Sequence, residues 1–150
     1  MLASIKAFTT VTDHLSTAGQ PSSEAFPALR SAGFERVINL GLLDQPYSLP
    51  DERASVVAAG MAYCHIPVPF DAPAPEHFAA FLAEMDSAPG AKVFLHCAAN
   101  YRASSFAALY GVHRLGWDRA WAEALLARIW IPNPVWRAFL DTQFQAAAAL

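Results

Sequence analysis

Three short apolar segments, each followed by a segment with helical periodicity, constrain the fold of this chain more than any other feature. The segments are residues 37–40, 61–66 and 93–96. Strands that alternate with helices in this order typically form a parallel sheet. The run Val-Phe-Leu at residues 93–95 is apolar without alternation, which is typical of a central strand that is buried on both faces.

The remaining segments complete an α/β pattern. We expect a first strand at residues 14–18 and a helix, capped by Ser22 or Ser23, that runs to about residue 32. Further helices are expected at residues 51–59, at residues 75–86, from the loop after Cys97 to about residue 115, after the cap Asp118, and from Asn133 and Pro134 onward. The prediction is a single three-layer domain over residues 1–150, with a mainly parallel central sheet of four to five strands flanked by helices.

Composition and charge exclude several classes of protein. A hydrophobic fraction of 55% with only 15% charged residues excludes intrinsic disorder. The longest segment without Asp, Glu, Lys or Arg, residues 54–70, is interrupted by Gly60 and Pro67, so we expect no membrane association through a spanning helix. A net charge of -3 and a pI of about 5.9 argue against nucleic-acid binding. Two cysteines are too few for a disulfide framework, so we expect a soluble cytoplasmic protein with reduced thiols.

The segment after the third apolar run carries the candidate chemistry. Cys97 follows this strand directly, and Arg102 lies where the next helix is expected to begin. Ligands of open α/β sheets bind at the carboxyl edge of the strands, and loop amides with a helix N-terminus attract anions and stabilise a thiolate. An arginine adds a bidentate contact to phosphate oxygens. These are the parts that thiol-based phosphoryl transfer requires.

The pair His96-Cys97 after an apolar strand, with Arg102 and Ser104 beyond it, resembles the active-site loop of cysteine-dependent tyrosine and dual-specificity phosphatases. Residues 17–21, 32–40 and 60–68 resemble a small bacterial branch of that superfamily. The resemblance implies a dual-specificity phosphatase-like fold and hydrolysis of a phosphate monoester, in a phosphoprotein or a small aryl phosphate, through a cysteinyl-phosphate. It implies these roles: Cys97 as nucleophile, Asp71 as general acid, Ser104 assisting the thiolate, His96 supporting the loop, and Ala98, Ala99, Asn100, Tyr101 and Arg102 binding phosphate.

The loop departs from the phosphatase pattern, which has five residues between Cys and Arg, whereas four separate Cys97 from Arg102 here. Two alignments compete. Either one residue is deleted, or none is deleted and Ala103 takes the arginine position while Asn100 takes the position of a glycine. We prefer the second, because asparagine tolerates positive φ and Ser104 then stays in register.

Two other functions are compatible with this loop. Rhodanese-type sulfurtransferases have a similar loop with the Cys-to-Arg spacing found here, and their cysteine carries a persulfide. A binding protein that keeps the phosphate site without turnover is the other alternative.

Several residues also have purely structural interpretations. Asp71 can cap the following helix, and Cys64 is expected in the core, although a redox disulfide with Cys97 is conceivable. We expect no metal or other cofactor, since neighbouring residues of a strand, such as His96 and Cys97, point to opposite faces. The four tryptophans are expected to pack the C-terminal helices, with Trp121 on a repeat of every fourth residue, rather than to form a ligand platform.

Overall fold

The computed structural model describes residues 2–148. Within them, the strands are β1 (Thr9–Thr12), β2 (Leu15–Ala18), β3 (Arg36–Asn39), β4 (Ala62–His65) and β5 (Val93–His96). The α-helices are α1 (Ala25–Ser31), α2 (Glu52–Ala58), α3 (Pro75–Asp86), α4 (Tyr101–Arg114), α5 (Arg119–Ala127) and α6 (Pro134–Ala148), and a short 3-10 helix spans Leu2–Ser4. None of the helices in residues 2–148 is long and apolar enough to cross a membrane.

The five strands form one sheet in the order β1-β2-β5-β3-β4. The pairs β2–β5, β5–β3 and β3–β4 are parallel, and only β1 runs antiparallel, against β2. The predicted α/β fold class is confirmed, and β5 is the central strand as expected. The sequence analysis missed β1, because its four residues, Thr-Thr-Val-Thr, contain no apolar run and lie half-exposed at the sheet edge.

Helices cover the sheet on both faces. On one face, α3, α4, α5 and α6 pack over Val93 and Leu95, and on the other face α1 and α2 pack around Phe94. This division follows from the alternation of side chains along β5. Since only residues 97–100 separate α4 from β5, the helix begins close to the carboxyl end of the central strand.

Most helix ends lie where the sequence places them. The side chains of Asp118 and Asn133 accept hydrogen bonds from the backbone N–H of Trp121 and Trp136, at 2.8 and 2.9 Å. The predicted serine cap of α1 is wrong, since α1 begins at Ala25 without a side-chain cap.

Two expectations for the C-terminal helices have different outcomes. Trp121 is not a packing residue, because 65% of it is exposed while Ala122, Leu125 and Leu126 face the core. The sequence also predicts that the alanine run at residues 146–149 is a fraying helix end, and this run extends beyond the described residues, which end at Ala148.

Candidate active site

The loop after β5 is held by both neighbouring strands. Cys97 N–H donates to the carbonyl of Ala18 at 3.3 Å, at the end of β2. Gln20 N–H donates to the carbonyl of Ala98 at 3.0 Å, which continues this contact into the loop. On the other side, Leu40 N–H donates to the carbonyl of His96 at 2.8 Å. The loop therefore lies at the carboxyl edge of the parallel sheet, where such folds bind ligands.

Asn100 turns the chain from the loop into α4. Its φ of 73° and ψ of 2° lie in the left-handed region, as expected for a residue in a position that favours glycine. The Asn100 side-chain amide donates to the carbonyl of Ala7 at 2.9 Å, so the N-terminal segment is fastened to the loop. The conformation directs the N–H groups of the first turn of α4 toward the loop side of the helix.

Arg102, in the first turn of α4, is buried beside the loop. Its Nη1 donates to the carbonyl of Val68 at 2.7 Å, and its guanidinium carbon lies 5.8 Å from the centre of the Phe70 ring. Ala103, in contrast, is fully buried in the hydrophobic core beneath α4. The placement favours the alignment with a shortened loop over the gap-free one that we preferred, because Arg102 and not Ala103 reaches the site.

A cavity of about 230 Å³ opens above the loop. It is lined by Phe70, Cys97, Ala98, Ala99, Tyr101 and Arg102. The loop thus brings the cysteine and the arginine to one cavity. Another cavity, of about 310 Å³, lies at the opposite edge of the sheet and offers His14 and Tyr110 but no cysteine or arginine.

Aromatic side chains form the outer wall of the cavity that contains Cys97 and Arg102. The ring of Tyr101 stacks on Trp130 with a centroid distance of 4.6 Å and an interplanar angle of 4°. Phe70 lies 5.7 Å from Trp130, and the indole N–H of Trp136 donates to the Phe70 carbonyl at 2.7 Å. Two of the four tryptophans therefore support the residues that line the cavity, a role that the sequence analysis missed.

A buried ionisable pair lies beneath the loop. His96 Nε2 is 2.6 Å from Oε2 of Glu52, and Gln20 Nε2 donates to the other carboxylate oxygen at 2.7 Å. The second ring nitrogen of His96 lies 3.2 Å from the carbonyl oxygen of Cys97, the first residue of the loop. The role of His96 in supporting the loop stays a prediction.

The charge state of Glu52 follows from these contacts. Burial by itself raises the pKa of Glu52, but the hydrogen bond and charge of His96, together with Gln20, outweigh burial and lower the pKa overall. The sequence analysis missed Glu52, which precedes His96 by 44 residues and stands in no recognisable motif.

A second polar contact stabilises the adjoining strand ends. Asn39 pairs in register with both His65 and His96, and its amide donates to the Tyr63 hydroxyl at 3.1 Å. Burial raises the pKa of Tyr63 to about 12, so this phenol stays protonated at neutral pH. The carboxyl edge of the sheet therefore carries several polar side chains beside the loop.

The arrangement matches a family of known proteins. A family model described as beta-lactamase hydrolase-like protein, phosphatase-like domain, matches residues 7–112. The chain belongs to this family. A crystal structure of a Shewanella putrefaciens protein, provisionally named a phosphatase (DUF442), is 35% identical with a TM-score of 0.89, and the match covers 97% of this chain and 96% of that one.

Two further proteins are similar to this phosphatase-like domain, one in sequence and one in fold. The beta-lactamase hydrolase-like protein of Agrobacterium fabrum is 34% identical over an alignment of 96 residues. This match covers 62% of this chain and 22%, about a fifth, of that relative's length. TpbA of P. aeruginosa, solved as a cysteine-to-serine variant with phosphotyrosine, is 18% identical with a TM-score of 0.72 over 94% of this chain and 90% of that one. The likeness to TpbA shows a shared fold. The match to the phosphatase-like family model confirms the predicted resemblance to phosphatases.

Two predicted site residues of the phosphatase-like domain lie apart from the cavity lining. Asp71 is exposed directly after Phe70, and it is not among the residues that line the cavity. Ser104 is buried in α4, and its hydroxyl donates to the carbonyl of Tyr101 at 3.1 Å. The acid role of Asp71 and the assisting role of Ser104 stay predictions.

The two cysteines are both free thiols. Cys64 and Leu95 each pair with Ile38, on opposite sides of β3, so Cys64 is two strand spacings away from β5. That separation is about 10 Å, beyond the roughly 7 Å limit between the Cα atoms of a disulfide. A disulfide between Cys64 and Cys97 would need movement of a central strand.

No metal site is evident in residues 2–148, where no group of three or more His, Cys, Asp or Glu side chains is placed to hold an ion.

Proposed function

We propose that this phosphatase-like domain hydrolyses a phosphate monoester through a covalent phosphate on Cys97. The observation that carries the proposal is that Cys97 and Arg102 line one cavity at the N-terminus of α4. A substrate phosphate in this cavity would meet a nucleophile from below and a guanidinium from the side. If the arginine pointed away from the thiol, only the backbone N–H groups of the loop would remain to hold the transferred group.

The reaction has two steps. The Cys97 thiolate attacks phosphorus, the bond to the leaving oxygen breaks with its electron pair on that oxygen, and the Asp71 carboxyl donates a proton to it. Water then attacks the cysteinyl-phosphate and gives a proton to the Asp71 carboxylate, the sulfur–phosphorus bond breaks with its electron pair on sulfur, and inorganic phosphate leaves with the thiolate and the Asp71 carboxyl restored. Ser104 would assist the departure of the thiolate.

Arg102 and the loop amides stabilise the charge in both steps. A guanidinium has five N–H donors, and within residues 2–148 the side chain of Arg102 forms one hydrogen bond, to Val68, so donors remain for phosphate oxygens. The backbone N–H groups of Ala98, Ala99, Asn100 and Tyr101 are the other candidates for phosphate contacts. Their alignment with the α4 N-terminus favours negative charge at this position.

The two cysteines supply a matched test of the proposal. We expect Cys97→Ser to abolish turnover of phenyl phosphate, because serine lacks a thiolate, while Cys64→Ser retains most of it. Steady-state release of phosphate measures both. Turnover that survives in Cys97→Ser would overturn the proposal, and tight binding of vanadate without turnover by the unsubstituted protein would support a binding protein instead.

The role of Asp71 has its own test. If its carboxyl protonates the leaving oxygen, Asp71→Asn should slow an alkyl phosphate by about 10²-fold or more, and slow a nitrophenyl phosphate much less, since nitrophenolate leaves without a proton. Equal losses for both leaving groups would instead indicate that Asp71 caps or positions the loop.

A sulfurtransferase is the second candidate, and it is favoured by one observation. The shortened loop, with four residues between Cys97 and Arg102, has the spacing of rhodanese-type enzymes. In that reaction Cys97 takes the outer sulfur of thiosulfate as a persulfide and releases sulfite, and cyanide then removes the sulfur as thiocyanate. Thiocyanate formation that requires Cys97, with no phenyl phosphate turnover, would favour this function, and its absence would exclude it.

A further inference from the structure

A second cavity adjoins the Cys97 cavity. It has a volume of about 360 Å³ and shares Ala99 and Tyr101 with the first. Lys6 and Arg128 lie on its far side, on the N-terminal segment and just after α5. One molecule placed over Tyr101 could therefore occupy both cavities at once.

The two cations of this second cavity have no carboxylate partner in the part of the chain that the structure describes. Four of the ten basic residues, all arginines, pair with carboxylates elsewhere: Arg36, Arg114, Arg119 and Arg137. Among residues 2–148, the other six have no carboxylate at ion-pair distance, and three of these, Lys6, Arg102 and Arg128, line the two adjoining cavities. Unpaired positive charge is therefore concentrated around the candidate active site.

The positive charge around the candidate active site is opposite in sign to the net charge of the chain. The chain has 13 carboxylates and a net charge of -3, yet no carboxylate lines either cavity. Cations that have no carboxylate partner among residues 2–148 can bind an anion from solution. Since Lys6 and Arg128 are exposed, each contact with an anion would contribute modestly and would be screened by salt.

Tyr101 fixes the geometry between the two cavities. Its ring is stacked on Trp130 and borders both cavities, so it forms a wall of defined width between them. A ligand that spans this wall needs a certain distance between its charged groups. A ligand that occupies both cavities must therefore place its two charged groups on either side of the Tyr101 ring.

We infer that the cavity with Lys6 and Arg128 is a second anion subsite, and that the substrate is a phosphate monoester with a second anionic group on the same molecule. This inference rests on the proposed function, since it assumes that the reacting phosphate occupies the Cys97 cavity. The second group can be the carboxylate of a small molecule or of an acidic residue near a phosphorylated side chain. The shared chemistry is a second negative charge beyond Tyr101.

The experiment measures equilibrium binding to the Cys97→Ser protein by calorimetry. One arm uses phenyl phosphates with a carboxylate on linkers of increasing length, each compared with the matched carboxamide. The other arm uses phosphotyrosine peptides that carry Glu or Gln near the phosphotyrosine. At low salt, we expect the best carboxylate probe of at least one arm to bind about five- to tenfold more tightly than its neutral counterpart.

Matched variants locate the source of this preference. In the double variant Lys6→Ala with Arg128→Ala, the ratio of the affinities for the charged and the neutral probe should fall to about one. The control variant, Arg30→Ala with Lys92→Ala, should preserve the preference for the charged probe. Among residues 2–148 these two cations also have no carboxylate partner, but they lie at the opposite edge of the sheet. Arg30 lies near Gly60, before β4, and Lys92 lies near Gly33, before β3.

The outcomes separate the subsite from the proposed function. Equal binding of charged and neutral probes in both arms, or a preference that survives in the Lys6 and Arg128 variant, would overturn the subsite alone. Failure of every aryl phosphate to bind would overturn the proposed function together with the subsite. A preference found in only one arm would support the subsite and identify the source of its second anion.

Discussion

Asn100 links the backbone of the loop to the rest of the protein in two ways. Its φ of 73° makes the turn from the loop into α4, and its side-chain amide holds the carbonyl of Ala7. A residue with a Cβ atom pays a steric cost in this conformation, which asparagine bears better than most. The backbone and the side chain of one residue therefore both contribute to the shape of the site.

Two substitutions separate these contributions. Asn100→Ala should lower the free energy of unfolding by about 2–3 kcal/mol, because it adds strain at positive φ and removes the bond to Ala7. Asn100→Gly should cost less, about 1 kcal/mol, because glycine accepts this conformation and only the bond is lost. Urea unfolding of both variants measures the difference, and equal losses would show that backbone strain plays no part.

The residues of the loop could be predicted from the sequence, while their partners could not. Cys97, Asn100 and Arg102 lie within six residues of one another, so the turn between a strand and a helix brings them together. Glu52 and Phe70 reach the same site from distant segments. Their placement depends on the order of strands in the sheet, which local sequence does not encode.

At the level of elements, the contact between β2 and the loop positions the active site. Gly19 directly follows β2, and its N–H donates to the carbonyl of Lys6 at 2.8 Å. A Cβ atom built on Gly19 would lie 2.7 Å from the carbonyl oxygen of Ala98. The loop can approach β2 this closely only because residue 19 has no side chain.

Gly19→Ala should therefore displace the loop. Because the clash is with backbone rather than with a flexible side chain, we expect a loss of about 1–3 kcal/mol in unfolding free energy and a reduced kcat/KM for phenyl phosphate. Urea unfolding and steady-state kinetics measure the two effects, with the exposed Ser23→Ala as a control. Unchanged kinetics in Gly19→Ala would show that loop position is not set by this contact.

The elements themselves were predicted with uneven success. The ends of α3 and β5 match the sequence-based prediction, since Pro75 and the apolar run mark them clearly. The strand β1 was missed, because a short edge strand needs no buried face. The burial of Trp121 was predicted wrongly, because α5 turns its alanine and leucines toward the core instead.

At the scale of the whole molecule, the pair Glu52–His96 connects folding to pH. The Glu52 carboxylate, at the start of α2, contacts His96 at the end of the central strand, and both side chains are buried. Because the fold lowers the pKa of Glu52, ionised Glu52 stabilises the folded state at any pH above its ordinary pKa, near 4.5. This stabilisation is lost as the pH falls through the lowered pKa.

Glu52→Gln tests this linkage. At neutral pH we expect the variant to be about 1–3 kcal/mol less stable than the unsubstituted protein, since a hydrogen bond to a charged group is replaced by a neutral one. The difference should shrink below about pH 4.5, where protonation removes the advantage of the carboxylate. Urea unfolding across this range measures it, with exposed Glu76→Gln as the control. A difference that stays constant down to acidic pH would contradict the linkage.

The fold as a whole followed from the sequence more fully than the site did. Alternating strands and helices leave few arrangements, because parallel strands need a crossover and helices cover both faces. The carboxyl edge then becomes the place for the site. The chemistry at that edge depends on where the guanidinium of Arg102 points. The spacing of Cys97 and Arg102 allows two alignments with the phosphatase loop, and the structure favours one of them because it places Ala103 in the core.

Detection of a covalent phosphate on Cys97 tests the central claim most directly. The protein is mixed with phenyl phosphate, quenched in acid during turnover, digested and analysed by mass spectrometry. We predict phosphate on the peptide that contains Cys97 and none on the peptide that contains Cys64, with no such adduct in Cys97→Ser. Turnover of phenyl phosphate without this adduct, persisting in Cys97→Ser, would contradict the account.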